Sequence, residues 1–447
     1  MPGSAASSLS PARPATSIPG GRILTLDALR GVAVMGILLI NILGYALPDA
    51  AYFSPVAYGD GRPADIATWA FNFILVDGKM RNLFSLLFGA SMLLVIERAR
   101  AGGVSAAGVH FARMLWLLVF GLVHFYFIWS GDILSQYAAL GLVAWFFRTL
   151  RVRTLLLLGL TFLAVQLLIT TAFGLWLFPL REAAYAPGAG PAAIHTWIEW
   201  GALYGQDNPL VVARELAIYR GESYFGLVGY RFDRLLLSPL YALAAGGLET
   251  FGMMLLGMAG LKSGFLTAGW SRAAYWRVVR LGYGIGLPVM IALAGWCAWS
   301  GFDPLVCFTA ITGPSGLVRP LIVAAHVSLL MLWLMRGLSP LTLRVAAVGR
   351  AAFTNYLGGS ILMSILFNGY GFGLFGHVGR AELYLIVLAV WALMLLWSKP
   401  WLDRFRYGPL EWLWRSLARG RAPPLRRLEA ESDAGYQAPG QEQGGTG

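Results

Sequence analysis

Six side chains that carry charge or exchange protons lie inside apolar runs of the sequence. They are Asp77, Lys79, Arg81, His124, Glu249 and His326. A charge held at the centre of a hydrocarbon layer costs roughly 2.5–3.5 kcal/mol on insertion scales, so such residues are retained mainly where they bind, transport or react. They are therefore the first candidates for chemistry in this chain.

Asp77, Lys79 and Arg81 follow each other in the run FILVDGKMRNLFSLLFG. Two interpretations remain open. In the first, the helix breaks at Gly78, and the charges form a loop between a surface helix and a membrane span. In the second, Lys79 and Arg81 form a cationic pair that binds a phosphate or carboxylate group.

His124 lies close to a short turn, because only Ser130, Gly131 and Asp132 separate two apolar runs. So short a turn predicts an antiparallel helical hairpin. Counting the helical rise back from the turn brings His124 level with Ser135–Tyr137, with Asp132 nearer the turn. His124 is a candidate general base that Asp132 or Tyr137 would orient; otherwise it is a structural hydrogen-bonding residue.

Glu249 and His326 lie near the middle of their runs. They are either neutral helix contacts or, if their helices are neighbours, a pair that handles protons or orients a substrate. Arg30 and Arg350 precede apolar runs on the side predicted to be cytoplasmic, with Asn355 close by. Two guanidinium groups could clamp the phosphates of an acyl-CoA.

The elements that must position these residues are long apolar helices. Of the 447 residues, 57% are hydrophobic and 13% charged. A membrane-spanning helix needs roughly 20 apolar residues. Ten such runs are present, at 31–47, 83–97 (extended backward by 66–77), 113–129, 133–149, 154–178, 238–261, 281–301, 317–335, 345–368 and 382–398. The sequence predicts an all-α polytopic membrane protein.

The distribution of basic residues predicts the orientation. If the N-terminus is cytoplasmic, the inward segments carry 24 Lys or Arg and the outward segments carry 8. Basic residues in short loops resist translocation, which predicts an N-in, C-in protein with an even number of spans. The net charge of +12 is therefore interpreted as a topology signal with some attraction to anionic lipid head groups, and not as nucleic-acid binding.

The remaining segments have distinct compositions. Residues 1–20 and 420–447 are predicted to be disordered tails flanking a membrane domain at 21–400. The aromatic-rich segment 180–237 is predicted to be a cap on the outer face, with helices near 191–204 and 208–220, and 401–419 an interfacial cytoplasmic helix. Gly252 and Gly257 suggest close helix contacts. No metal-ligand spacing is present, and Cys297 and Cys307 are either one outer disulfide or two buried thiols.

Six blocks resemble the YeiB-like, DUF418-type membrane proteins. These blocks are LDALRGVAVMGILLINI (26–42), KMRNLFSLLFGAS (79–91), GLVHFYFIWSGDILSQYA (121–138), ETFGMMLLGMAG (249–260), GRAAFTNYLGGSI (349–361) and YGPLEWLWR (407–415). More distantly, the first block resembles the opening helix of acyltransferase-3 and heparan-glucosaminide N-acetyltransferase enzymes. That resemblance implies transfer of an acyl group from acyl-CoA, a co-substrate and not a bound cofactor, to a sugar or lipid acceptor on the far side.

The resemblance also exposes a difference. The acyltransferase-3 pattern places a histidine at the position of Asn41, and residues 42–66 contain none. An asparagine can polarise a carbonyl group but cannot take a proton from a hydroxyl at neutral pH, so His124 would have to act as the base. Two alternatives remain: a transporter or flippase for a lipid or small amphiphile, although only one run is visibly interrupted, and a non-catalytic membrane scaffold.

Overall fold

The computed structural model describes residues 17–18, 22–201 and 209–427. The predicted tails lie largely outside these residues, as does the end of the first predicted cap helix. Apart from one antiparallel ribbon, β1 (Ser17–Ile18) with β2 (Arg22–Ile23), the described chain is helical. In chain order the helices are α1 (Leu24–Ala46), α2 (Asp49–Phe53), α3 (Pro63–Phe71), α4 (Lys79–Ala101), α5 (Ala106–Val123), α6 (Leu134–Ala144), α7 (Val152–Tyr185), α8 (Pro191–Trp200), α9 (Pro209–Gly221), α10 (Tyr224–Arg234), α11 (Ser238–Lys262), α12 (Arg272–Trp299), α13 (Pro304–Thr312), α14 (Arg319–Leu334), α15 (Pro340–Arg350), α16 (Ala352–Phe367), α17 (Leu383–Arg404) and α18 (Pro409–Arg419).

Seven helical segments of the described chain are long and apolar enough to cross a membrane, and an eighth is added if the bent pair α13–α14 forms one span. The seven are α1, α3 with α4, α5 with its C-terminal extension, α7, α11, α12 and α17. Two shorter apolar helices, Leu134–Phe147 and α16, coincide with two further predicted spans. The polytopic helical class is thus confirmed, whereas the number of ten spans and the orientation stay predictions.

Two of the predicted spans are broken. Between α3 and α4, a π-helical turn (Asn72–Val76) leads into Asp77 and Gly78, and Gly78 has a φ of +70° that favours glycine. The second break bends α14 by 66° from the segment Pro304–Leu317. The expectation that only one span is interrupted was therefore wrong, because a bend between two apolar helices leaves hydropathy unchanged.

Glycines allow the helices at the centre of the bundle to touch. Gly257 of α11 packs against the backbone oxygen of Leu86 on α4, and Gly89 of α4 packs against that of Met254. Gly252 faces the backbone oxygen of Gly159 on α7 at a position where a β-carbon would lie 2.8 Å away. Small residues permit such close backbone approach in membrane bundles. The close contacts suggested by Gly252 and Gly257 are present.

Replacing Gly257 by valine should destabilise the fold, because the new side chain overlaps the Leu86 carbonyl, a backbone atom that cannot rotate away. Overpacking of a well-packed core typically costs about 1–3 kcal/mol, and a backbone clash lies at the upper end of that range. Thermal unfolding of the purified variant checks this expectation. Gly284→Ala is the matched control, since no atom lies within 4 Å of its added β-carbon; a Gly257→Val protein as stable as this control would contradict the packing.

The cap and the C-terminal segment differ in detail from the sequence-based boundaries. Within 180–237 the described residues form the end of α7 and the helices α8, α9 and α10, so one helix more than predicted is present. The predicted interfacial helix 401–419 is divided, because α17 continues to Arg404 and α18 begins at Pro409.

Candidate functional site

A cavity of about 240 Å³ lies between α1, α4, α5, α6, α16 and α18. Its wall is unusually rich in cationic groups. The arginines that line it are Arg30, Arg98, Arg113, Arg350 and Arg415. His110 and only two carboxylates, Asp27 and Glu411, complete the ionisable lining. The cavity is therefore suited to an anionic group.

Arg30 and Arg350, the two arginines proposed from the sequence as a clamp, both line this cavity. Arg30 is fixed by its neighbours: Nη1 donates to Asp27 Oδ1 at 3.1 Å, and Nη2 donates to Ser91 Oγ at 2.7 Å. Its side chain is 26% exposed. The close α1–α15 contact, in which Gly349 packs on the backbone oxygen of Asp27, brings Arg350 to the same place.

Helix α18 forms one wall of the cavity. The Glu411 carboxylate accepts hydrogen bonds from the backbone N–H of Phe353 at 2.7 Å and from Thr354 Oγ1 at 2.6 Å, and so satisfies the exposed N–H groups that begin α16. Burial raises the pKa of Glu411, and these hydrogen bonds oppose the shift. Trp414 Nε1 donates to Arg113 O at 2.9 Å, and the Arg113 guanidinium lies 4.1 Å from the Trp414 ring centroid.

The inner part of the cavity is apolar and aromatic. Its lining residues there are Phe84, Leu87, Phe88, Leu117, Leu134, Tyr137 and Tyr356. Tyr137 is fully buried, and its hydroxyl donates to Arg81 O at 3.2 Å and lies 3.0 Å from Ser85 Oγ. The cavity thus combines a cationic region with an apolar region, which matches an amphiphilic ligand.

His124 and Asp132 form the pair that hairpin geometry predicts. Nδ1 of His124 lies 2.9 Å from Asp132 Oδ1, and both side chains are buried. Asp132 also accepts from the backbone N–H groups of Leu134 at 3.0 Å and Ser135 at 2.8 Å, which anchors it at the start of α6. Within the described chain, Nε2 of His124 has no hydrogen-bond partner. A carboxylate that fixes Nδ1 leaves Nε2 as the proton acceptor.

His124 does not line the arginine cavity directly. Tyr356 stands between them: its ring lines the cavity, and its centroid lies 5.3 Å from that of His124. Tyr356 also lines a second, smaller cavity of about 20 Å³. Asn41 also lines that smaller cavity, which does not include His124 in its lining.

Asn355 is occupied by structural contacts. Its Nδ2 donates to Val348 O and to Ser398 Oγ, each at 3.1 Å, and its Oδ1 accepts from Trp397 Nε1 at 2.8 Å. These bonds hold the α15–α16 turn against α17. Asn355 lines the smaller cavity and not the arginine-lined cavity, and its role at the donor stays a prediction.

A second cluster of charges centres on Glu249. Its Oε2 accepts from Arg81 Nη2 at 2.9 Å, and its Oε1 accepts from Arg319 Nη1 at 2.7 Å and from Asn82 Nδ2 at 2.9 Å. Arg319 begins α14 at the second break, where it also contacts Ile311 O and Ser315 Oγ. Sequence reasoning missed Arg319, because it assigned that residue to an outer loop.

Lys79 and Arg81 do not form a cationic pair. Two residues along a helix turn the side chain through about 200°, so Lys79 points away from Arg81 and donates from Nζ to Phe73 O at 2.6 Å. Glu249 and His326 do not pair either. His326 Nε2 is 3.1 Å from Leu75 O, and Nδ1 is 3.1 Å from Tyr283 OH. Both predicted pairings are replaced by other partners.

The described residues contain no group of three or more His, Cys, Asp or Glu side chains that could hold a metal ion. Cys297 and Cys307 are both buried as free thiols.

Known proteins resemble this chain over most of its length. A family model described as "Protein of unknown function (DUF418)" matches residues 261–421. "Uncharacterized protein YeiB" of Escherichia coli (strain K12) is 34% identical over 412 residues, covering 90% of this chain and 98% of that protein. "Uncharacterized protein YxaH" of Bacillus subtilis (strain 168) is 32% identical over 406 residues, covering 88% of this chain and 94% of that protein.

Proposed function

From the premise that the chain belongs to the YeiB-like DUF418 family, as the six sequence blocks predicted, we propose that it is a membrane acyltransferase. In this proposal it crosses a bacterial inner membrane ten times with both termini in the cytoplasm. It takes an acyl group from cytoplasmic acyl-CoA and transfers it to a sugar or lipid acceptor on the other side.

The arginine-lined cavity carries this proposal. Guanidinium groups bind phosphate oxygens through paired, charge-assisted hydrogen bonds, and CoA carries three phosphate groups. The apolar lining beyond the arginines would accommodate the pantetheine arm and the acyl chain, and it leads to Tyr137 and Tyr356. The exposed residues Arg404, at the end of α17, and Arg419, at the end of α18, would face anionic lipid head groups on the same side.

In the proposed reaction, His124 acts as the general base. Nε2 removes the proton from an acceptor hydroxyl as its oxygen attacks the thioester carbonyl carbon. The C–S bond then breaks, the acyl C–O bond remains, and the imidazolium returns the proton to the departing CoA thiolate. Asp132 holds Nδ1–H and stabilises the transient positive charge. Movement of the Tyr356 ring would give the thioester access to Nε2.

The clamp predicts the behaviour of two substitutions. Arg30→Gln and Arg350→Gln should each weaken acetyl-CoA binding by about tenfold or more, because each removes a charged hydrogen bond worth roughly 1.5–3 kcal/mol. Isothermal titration of purified protein with acetyl-CoA measures the effect. Arg62→Gln, in the surface ion pair with Glu382, is the control and should bind normally. If the wild-type protein binds no CoA ester and no acyl lipid, the acyltransferase proposal fails.

One structural observation favours a transporter as the second candidate. The two broken spans meet, because Gly78 at the first break packs against Arg319 at the second. Transporters commonly place substrate sites between interrupted helices from the two halves of the chain. Proteoliposome uptake driven by a proton gradient distinguishes the candidates: uptake lost in Glu249→Gln supports transport, and acyl-CoA consumption without uptake supports acyl transfer.

A further inference from the structure

Arg81 combines two properties that conflict in a lipid environment. Its side chain is 41% exposed, although it lies in a helix whose neighbouring residues Lys79 and Asn82 are each 1% exposed. It is also ion-paired with Glu249 inside the bundle. A guanidinium group exposed to hydrocarbon is costly, so the exposed edge of Arg81 must face water.

The exposed edge of Arg81 does not belong to the lining of the arginine-lined cavity. On α4 the lining of that cavity begins at Phe84 and extends to Arg98, and it does not include Arg81. Arg81 lies two residues after the start of α4, about 30 Å of helix rise from its other end at Ala101. The two water-accessible regions therefore approach each other from opposite ends of α4.

Tyr137 separates the two regions. One side of its ring lines the arginine cavity and stacks between Phe84 and Phe88, with centroid distances of 5.5 and 5.3 Å. Its hydroxyl faces the other way, toward Arg81 O and Ser85 Oγ. A single side chain thus lies between the arginine-lined cavity and Arg81.

The charges around Arg81 favour an anion. Two guanidinium groups, those of Arg81 and Arg319, contact the Glu249 carboxylate, whereas the Lys79 ammonium donates to the backbone oxygen of Phe73. Asp77 accepts from Tyr52 OH at 2.7 Å, and Glu249 is shared between two arginines. Of these two arginines, Arg81 has the more exposed side chain, 41% against 6% for Arg319. A negative group bound at Arg81 would give its guanidinium a second charged acceptor beside Glu249.

We propose that the exposed edge of Arg81 is the end of an outward-facing aqueous entrance that binds the carboxylate or phosphate group of a ligand. The ligand approaches from the face opposite the arginine-lined cavity and stops at Tyr137. Only the identification of this ligand as the acyl acceptor rests on the proposed function; the site itself is a binding site under either candidate function.

The test uses a cysteine placed one helical turn from Glu249. Gly246 lies three residues before Glu249 on the same face of α11, and an added β-carbon there meets only Gln136 Nε2, at 3.7 Å. The native thiols, Cys297 and Cys307, are fully buried. Ser91→Cys, whose position lines the arginine cavity, is the reference for the opposite face.

The probe is the membrane-impermeant anion 2-sulfonatoethyl methanethiosulfonate. It transfers its sulfonatoethylthio group to a thiolate, forming a disulfide and releasing methanesulfinate. We expect Gly246→Cys and Ser91→Cys to react from opposite sides of sealed vesicles. Inorganic phosphate should slow the Gly246→Cys reaction about tenfold, and this protection should disappear when Arg81→Gln is added. Arg81→Lys, which keeps the charge opposite Glu249, serves as the second variant and should give weaker protection.

The arms of the test separate the sources of the anionic group. Protection by phosphate in vesicles of zwitterionic lipid indicates a soluble anion, and protection only when phosphatidylglycerol is present indicates a lipid head group; either supports the site. Reaction of both cysteines from the same side, no reaction at Gly246→Cys, or equal protection in the Arg81→Gln variant overturns it. None of these readouts requires turnover, so failure of acyl transfer and failure of this site are distinguished.

Discussion

The His124→Gln variant is expected to lose acyl transfer by about 10²–10⁴-fold, the range associated with removal of a general base. Glutamine keeps a polar amide at this position, and Asp132 keeps the hydrogen bonds from the backbone N–H groups of Leu134 and Ser135 that hold the start of α6. The amide cannot accept a proton from a hydroxyl at neutral pH. The fold and the donor site should therefore survive while proton abstraction is lost.

The measurement is the release of free CoA thiol with purified protein, an acyl-CoA and candidate acceptors, together with titration of acetyl-CoA binding. Binding should be unchanged in His124→Gln, and the melting temperature should stay close to that of the wild type. His195→Gln, on the exposed surface of α8, is the matched control. Undiminished turnover in His124→Gln would exclude this histidine as the base, whatever the donor.

Removing Glu249 should produce the largest loss of stability among the substitutions considered. In Glu249→Leu, Arg81 and Arg319 both lose their carboxylate partner, and the Arg319 side chain is only 6% exposed. Breaking a buried ion pair from one side typically costs roughly 3–5 kcal/mol, because the remaining charge stays buried without compensation. Glu249→Gln should cost less, since the amide oxygen can still accept a hydrogen bond.

Denaturant unfolding in detergent, followed by circular dichroism, gives the free energies. Adding Arg319→Met to Glu249→Leu should recover part of the loss, because the second substitution removes the unpaired charge. Glu382→Gln, which removes a surface ion pair with Arg62, should leave the unfolding midpoint nearly unchanged. A wild-type unfolding midpoint in Glu249→Leu would mean that the ion pairs of Glu249 contribute no stability, and it would contradict this prediction.

The sequence predicted those contacts that depend on local geometry. A three-residue turn forces α5 and α6 to be antiparallel, so the approach of Asp132 to His124 followed from counting residues. The family and the helical class followed from apolar runs and from short blocks. The opposite directions of Lys79 and Arg81 also follow from helical rotation, although one of the two sequence-based interpretations treated them as a cationic pair.

Contacts between distant helices were beyond the sequence. The stretch Gly313-Pro314-Ser315-Gly316 marks a break before residue 319, where the helices bend by 66°, but it does not show where the Arg319 side chain points. Arg319 was counted as an outer-loop charge, although it reaches Glu249, 70 residues earlier. His326, two helical turns later, was assigned to Glu249 on depth alone, and it instead contacts Leu75 O and Tyr283. Depth along a helix can be counted from the sequence, but the direction in which each face points depends on the packing of the whole bundle.

The position of α18 has a consequence for biosynthesis. Glu411 and Trp414 lie in α18, the last helix of the described chain to leave the ribosome. Glu411 caps α16, and Trp414 lines the same cavity as residues of α1. During translation the arginines of α1, α4 and α5 therefore lack this wall of the pocket until α18 has been synthesised. A nascent or prematurely terminated chain that ends before Pro409 would enter the membrane with this pocket unfinished.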